Sequence, residues 1–272
     1  MKSHRSFIAI LAVATLSAAD LPVFAADKES PAAAEENRVD PQAISILNRA
    51  VDKLAGAKQF SVSTEIWGDT DLEEGGRAQF TKLVDIKVRR PDHAQVDIKT
   101  SVPKRSFYYD GKTFTLLDQQ KGFYGSTAAP GTIDETIIKA EEDYGVTFPL
   151  EDIMLSRPFG DGAAKTKAAQ YLGVEPVLGV LCHHLAFQND EIDWQAWVED
   201  GPVAVVRKVV ITPKVCEEGE ETGDQQVIAL FTKWDFNTEL PDFVFSFDPP
   251  PGASKIEFMT SKQKEEQAKA AK

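Results

Sequence analysis

FTKLVDIKVRRPDHAQVDIKT (residues 80–100), followed by RSFYYDGKTFTLLD (residues 105–118), is the stretch that decides the fold. Alternation with a period of two puts Phe80, Val84, Ile86 and Val88 on one face of the first run and Lys87 and Arg89 on the other. Pro91-Asp92 breaks that run, and Ala94, Val96 and Ile98 resume the alternation. Asp110-Gly111 carries the two-residue type I′ hairpin signal, in which both turn residues need a positive φ. A two-residue turn sets Phe107 opposite Phe114 and Arg105 opposite Leu116. An antiparallel meander with one apolar and one polar face must curl around something or be covered.

Outward from this stretch, the two ends of the chain differ from its body. Lys2 and Arg5, the apolar run Phe7–Ala19 and the Val23-Phe24-Ala25 site read as a secretory signal peptide cleaved after Ala25. The apolar run is too short to span a membrane. Residues 26–39 are an Ala/Glu/Ser-rich leader, residues 40–258 form one domain, and residues 259–272 form a polar tail. The 272 residues carry a formal net charge of −13, which disfavours nucleic acid and anionic membrane surfaces as partners.

Asp40-Pro41 opens a helix, with Asp as the N-cap and Pro in the first turn. Ile44, Leu47, Val51 and Leu54 form its apolar stripe. FSVSTEIW (residues 60–67) is the first strand. Thr132-x-x-Glu135 is a capping box that starts a second helix, with Ile133, Ile137, Ala140 and Tyr144 on one stripe and Gly145 at its end. PLEDIML (residues 149–155) adds a short helical turn. Strands resume over residues 170–174, 179–187, 194–199, 203–213 and 226–237, with an acidic loop over residues 214–225. LPDFVFSF (residues 240–247) reads as a further strand with Phe243, Phe245 and Phe247 on one face. The fold class is α+β, mainly β: a half-open antiparallel barrel of about ten or eleven strands with a helical lid.

The chemistry-bearing residues do not assemble into a reactive set. His183 and His184 are adjacent in a strand and point to opposite faces, so they cannot share a metal ion. Cys182 and Cys216 either pair in an oxidising compartment, or stand as a buried apolar residue and a loop thiol. Trp194 and Trp197 fall on opposite faces of one strand. No GxSxG, HExxH or phosphate-loop signature occurs. The expectation is a protein with no catalytic residue, metal or cofactor.

The ordered succession of motifs is more specific than any one of them. DPQAISILNRAVDKLAG is followed by RRPDHAQVDI, YYDGKTFTLLD, APGTIDETI, DYGVTFPLEDI, CHHLAF, DWQAWVED, RKVVIT and LPDFVFSFDPPPGA. This order resembles the DUF2092 group of periplasmic proteins over roughly Asp40 to Ile256, a group similar to the LolA/LolB-type lipoprotein-carrier fold. The resemblance implies an incomplete antiparallel barrel whose open side is plugged by helices over an apolar cavity. It also implies an arginine that holds the lid, which the sequence assigns to no particular position. The candidate cavity lining is Phe80, Val84, Ile86, Phe107, Phe114, Ile133 and Ile137. The expected function is that of a periplasmic, non-enzymatic carrier for a hydrophobic ligand, a lipid or an acyl chain of a lipoprotein. The alternative expectation is an envelope assembly factor whose acidic loop binds a protein partner.

Overall fold

The computed structural model describes residues 38–260, except 73, 101–103, 160–165 and 215–225, together with residue 263. The expected signal peptide with its cleavage site, the leader up to residue 37, Cys216 and nearly all of the acidic loop lie outside the described residues. No helix among the described residues is long and apolar enough to cross a membrane.

Helix α1 (Pro41–Ala55) begins where Asp40 accepts the Gln42 amide at 2.8 Å, with Pro41 in the first turn as expected. Its buried face is Ala43, Ile46, Leu47, Ala50 and Leu54, whereas Ile44 and Val51 are half-buried at the margin. The stripe is rotated relative to the sequence reading, with Ala43 and Ala50 on the buried face in place of Ile44 and Val51.

Twelve strands follow: β1 (Gln59–Asp71), β2 (Arg77–Arg89), β3 (His93–Lys99), β4 (Arg105–Tyr109), β5 (Thr113–Asp118), β6 (Phe123–Ala128), β7 (Ala168–Val177), β8 (Val180–Gln188), β9 (Ile192–Glu199), β10 (Val206–Pro213), β11 (Val227–Asp235) and β12 (Ser254–Lys255). They form one open sheet in the order β12-β6-β5-β4-β3-β2-β1-β11-β10-β9-β8-β7, mainly antiparallel, with β12 parallel to β6. Strands β1–β6 form one meander and β7–β11 a second, and the two meet where β1 pairs with β11. Helix α2 (Ile133–Tyr144) and the segment after it therefore cross from one edge of the sheet to the other.

The inner face carries the main core, with Phe60, Val62, Val84, Ile86, Val88, Val96 and Phe107 from the first meander and Leu185, Phe187, Ala196 and Phe231 from the second. Apolar alternation in β2, β3 and β4 places these side chains as the sequence reading expected. Over β2–β4 the outer face carries polar side chains that are bonded to one another. Ser106 Oγ donates to Asp97 at 2.6 Å, Lys87 Nζ donates to Gln95 at 2.9 Å, and Lys99 Nζ reaches Asp85 at 2.8 Å. His183 and His184 do part to opposite faces. His184 stacks on Trp197 at 4.1 Å on the outer side, while Trp194 stacks on Phe187 at 4.3 Å within the main core.

Three local readings are corrected. The Asp110-Gly111 turn is longer than two residues, and the register is Tyr109 opposite Phe114, Phe107 opposite Leu116 and Arg105 opposite Asp118. Gly111 has φ 85° but Asp110 is not in the left-handed region. Instead, the Asp110 carboxylate accepts from the Lys112 and Thr113 amides at 3.0 and 2.8 Å. The shift is two residues, so Phe107 and Phe114 still share the inner face, diagonally, at 6.2 Å. Phe123–Ala128 is a strand that the sequence reading lacked; with the two-residue β12 it brings the count to twelve among the described residues.

Residues 240–247 are not a strand. They contain a 3-10 turn at Asp242–Val244, with Phe245 fully buried and Phe243 78% exposed. Arg89 causes the difference: its guanidinium donates to the Leu240 carbonyl at 2.8 Å and to Asp242 at 2.6 Å. This turns the chain across the outer face, where Phe245 meets His93 edge-on at 5.2 Å and Phe247 packs on Tyr108 and Tyr124. The segment ends by covering the β6 edge, with Ser254 and Ile256 amides donating to Gly122 and Tyr124 carbonyls at 2.8 Å.

The turn makes the two phenylalanines unequal. Phe245→Ala is expected to lower stability by about 3–5 kcal/mol, and Phe243→Ala by under about 0.5 kcal/mol, in equilibrium denaturation. Similar losses for both would mean that they share a packed face.

Candidate functional site

Strands β3, β4 and β5 present Ala94, Val96, Phe107, Tyr109 and Phe114 to the inner side, and α2 lies opposite with Ile133, Thr136 and Ile137. Thr132 places α2 by accepting the Glu135 amide at 3.2 Å. Glu135 does not complete the expected box; its carboxylate accepts from the Thr132 hydroxyl at 2.8 Å. The helix stops at Gly145, in the left-handed conformation at φ 64°, with the Gly145 and Val146 amides returning to Glu141 and Ala140 carbonyls.

The next segment turns back under the helix. Phe148 inserts edge-on against Phe107 at 4.7 Å and Phe114 at 5.8 Å. Met154 closes the same space from a 3-10 turn over Glu151–Ile153. A cavity of about 20 Å³ remains between sheet and helix. That is room for roughly one water. Its surroundings are apolar, and two of the hydroxyls around it are engaged elsewhere: Tyr109 donates to the Pro130 carbonyl, and Thr136 donates to the same oxygen at 3.5 Å. Phe258 flanks this aromatic group from the C-terminal segment, 5.7 Å from Phe114 and 5.1 Å from Tyr144. Gly125 allows this close approach, since a Cβ would lie 3.0 Å from the Phe258 ring and the ring would have to give.

Arg90 ties the segment to the sheet. It donates to the Met154 carbonyl at 2.7 Å and the Ile153 carbonyl at 3.3 Å. Two residues after Met154, Ser156 donates its amide and hydroxyl to Asp134 of α2 at 2.9 and 2.5 Å. Residues 146–159 are thus fastened both to the sheet and to the helix. Burial lowers the Arg90 pKa, and the nearby Asp134 charge partly offsets this. Burial pushes the Glu151 carboxyl above the usual carboxylate range, although it accepts the Phe148 amide at 3.4 Å.

Of the seven residues named from the sequence, Phe107, Phe114, Ile133 and Ile137 surround the cavity. Val84 and Ile86 are buried in the main core beside it rather than lining it. Phe80 shares their face, but β2 extends beyond the core there and Phe80 is 45% exposed. Cys182 is buried on the outer side, next to Trp197 and Val210. Arg90, Phe148 and Met154 were missed. Each lies in a turn or irregular segment, where periodicity carries no signal.

The chain belongs to the family described as "Predicted periplasmic protein (DUF2092)", whose model matches residues 43–259. It matches no curated protein by sequence. Among solved structures it is similar to the lipoprotein LppX of Mycobacterium tuberculosis, at 13% identity and a TM-score of 0.46, over 74% of this chain and 100% of that one. It is also similar to LprF from Mycobacterium bovis, at 12% identity and a TM-score of 0.44, over 75% and 98% of the two chains. A LolA superfamily protein from Nitrosomonas europaea is similar at 11% identity and a TM-score of 0.33, over 75% and 97%.

Glu151 gives the segment a pH dependence. Its native pKa is raised, so the native state holds more protons than the unfolded state through the carboxylate range, and stability falls as pH rises through it. Glu151→Gln is expected to raise the melting temperature at neutral pH, with the gain vanishing on acidification. A gain that persists at low pH would assign it to another cause.

Proposed function

We propose that this protein is a non-enzymatic periplasmic carrier or binding protein for a hydrophobic ligand, a lipid or acyl chain, held between the inner face of the sheet and α2. The observation that carries the reading is the apolar seam itself: a residual cavity of about 20 Å³, enclosed by Phe107, Phe114, Ile133, Ile137, Phe148 and Met154. Its outer wall includes a separately fastened segment, residues 146–159, rather than sheet alone. A seam walled by a piece of chain other than the sheet, held by a few directional contacts, is what reversible uptake needs.

The cavity in this state is closed. An alkyl chain enters only if Phe148 and Met154 withdraw, so residues 146–159 act as the lid. The ligand then occupies the space that the Phe148 ring holds against Phe107 and Phe114. Each methylene taken from water contributes about 0.8 kcal/mol, which favours long chains. The family's description as periplasmic supports the location, and on this reading the first 25 residues are the export signal, removed after Ala25.

Native mass spectrometry of protein recovered from its own periplasm, followed by organic extraction, tests the proposal. A co-purifying lipid or acylated peptide is expected. Uptake of a fluorescent fatty acid should be abolished in Phe107→Asp and reduced in the milder Ile137→Ala. A folded variant that takes up the probe as well as the native chain does, or a native chain that never takes it up, would refute the assignment.

A further inference from the structure

Arg90 sits where the cavity meets the lid, and its charge is under-compensated. Nη1 and Nη2 reach only the neutral carbonyls of Met154 and Ile153, at 2.7 and 3.3 Å. Nε is buried with no hydrogen-bond partner. The Phe60 ring lies 5.9 Å from the guanidinium. The nearby acid, Asp134, is occupied by the amide and hydroxyl of Ser156 and forms no ion pair with Arg90. A guanidinium stays charged in a protein, and this half-buried one is hydrogen-bonded by neutral carbonyls and only partly offset by the nearby Asp134 charge.

Resting on the proposed hydrophobic-ligand reading, we infer that Arg90 is the head-group site and that the ligand is an anionic amphiphile, its carboxylate or phosphate on Arg90 and its alkyl chain in the seam below. Two features of the geometry meet in this assignment. The space left beside Phe107 and Phe114 is too small for a chain while Met154 is in place, so loading displaces the Ile153–Met154 segment. The same displacement removes both carbonyls from Arg90 and frees its donors beside the place of Met154, which lines the apolar cavity. A carboxylate or phosphate fits that fork with two parallel charge-assisted hydrogen bonds. A hydroxyl or ester head offers neutral acceptors no better than the carbonyls it replaces, and a cationic head is repelled. The structure thus separates ligands by head-group charge at Arg90 and by chain length in the seam.

The test is calorimetric titration of the native chain with dodecanoate, dodecyl phosphate and dodecanol, each below its micelle-forming concentration, at mildly alkaline pH. Both anions are expected to bind at least about tenfold more tightly than the alcohol, the scale of a hydrogen bond to a charged group. The stronger anion identifies the head-group chemistry. In Arg90→Gln the ratio of anion to alcohol affinity should fall to near one, and Arg90→Lys should retain part of it. Equal affinities in the native chain overturn the inference without any variant. So does a preference that survives in folded Arg90→Gln. If none of the three chains binds, the hydrophobic-ligand reading fails first, and this assignment with it.

Discussion

The two meanders meet at the β1–β11 pairing, and everything else follows from that junction. It leaves β6 and β7 far apart in the sheet although they are consecutive in sequence. Residues 129–167 must therefore run from one side of the sheet to the other. Among the described residues of this connection, Ile133, Ile137, Phe148 and Met154 pack on the inner face, which left to water would cost about 1.5–3 kcal/mol for each large side chain. Helix α1 covers the β7–β9 side, and α2 with the segment behind it covers β3–β5. The cover over β3–β5 thus belongs to the connection that the strand order makes unavoidable.

The same logic explains which parts of this arrangement were legible in the chain. Alternation in residues 84–98 and 105–118 names the inner face correctly, because a buried face punishes a one-residue slip. A two-residue error in the Asp110 turn therefore did no harm to the face assignment; Phe107 and Phe114 met diagonally instead of directly. The error arose because an aspartate can cap the following amides with its own side chain, which the dipeptide alone does not reveal. Residues 240–247 alternate as a strand does, yet the Arg89 contacts with Leu240 and Asp242 bend them into a turn. That contact joins residues about 150 apart, beyond the reach of local pattern. Arg90 and Phe148 escaped for a similar reason. Their role depends on where irregular segments come to rest, and only the crossing between sheet edges decides that.

What holds the lid shut is mostly apolar. Ile133, Ile137 and Met154 are nearly fully buried and Phe148 is at 9% exposure. The Arg90 and Ser156 contacts add direction more than strength, at roughly 1.5–3 kcal/mol for a hydrogen bond to a charged group. A twelve-carbon chain transferred from water into the seam brings about 9 kcal/mol. That is the same scale as the burial of four such side chains. On the proposed carrier reading, opening and loading would then be of similar magnitude, the condition for a site that must both fill and empty.

Glu151 tilts this balance. A carboxylate placed by the lid's own turn in half-buried surroundings makes the closed state costlier when ionised than when protonated. The alternative, a neutral side chain at this position, would strengthen closure where Glu151 is ionised and change little on acidification. A lid fastened by directional contacts at Arg90 and Asp134 but weakened by a penalised carboxylate between them is held in register without being held hard. Register keeps Phe148 aimed between Phe107 and Phe114, and on the proposed carrier reading the weakness would let it leave. An all-apolar lid of the same size would meet the first requirement and fail the second.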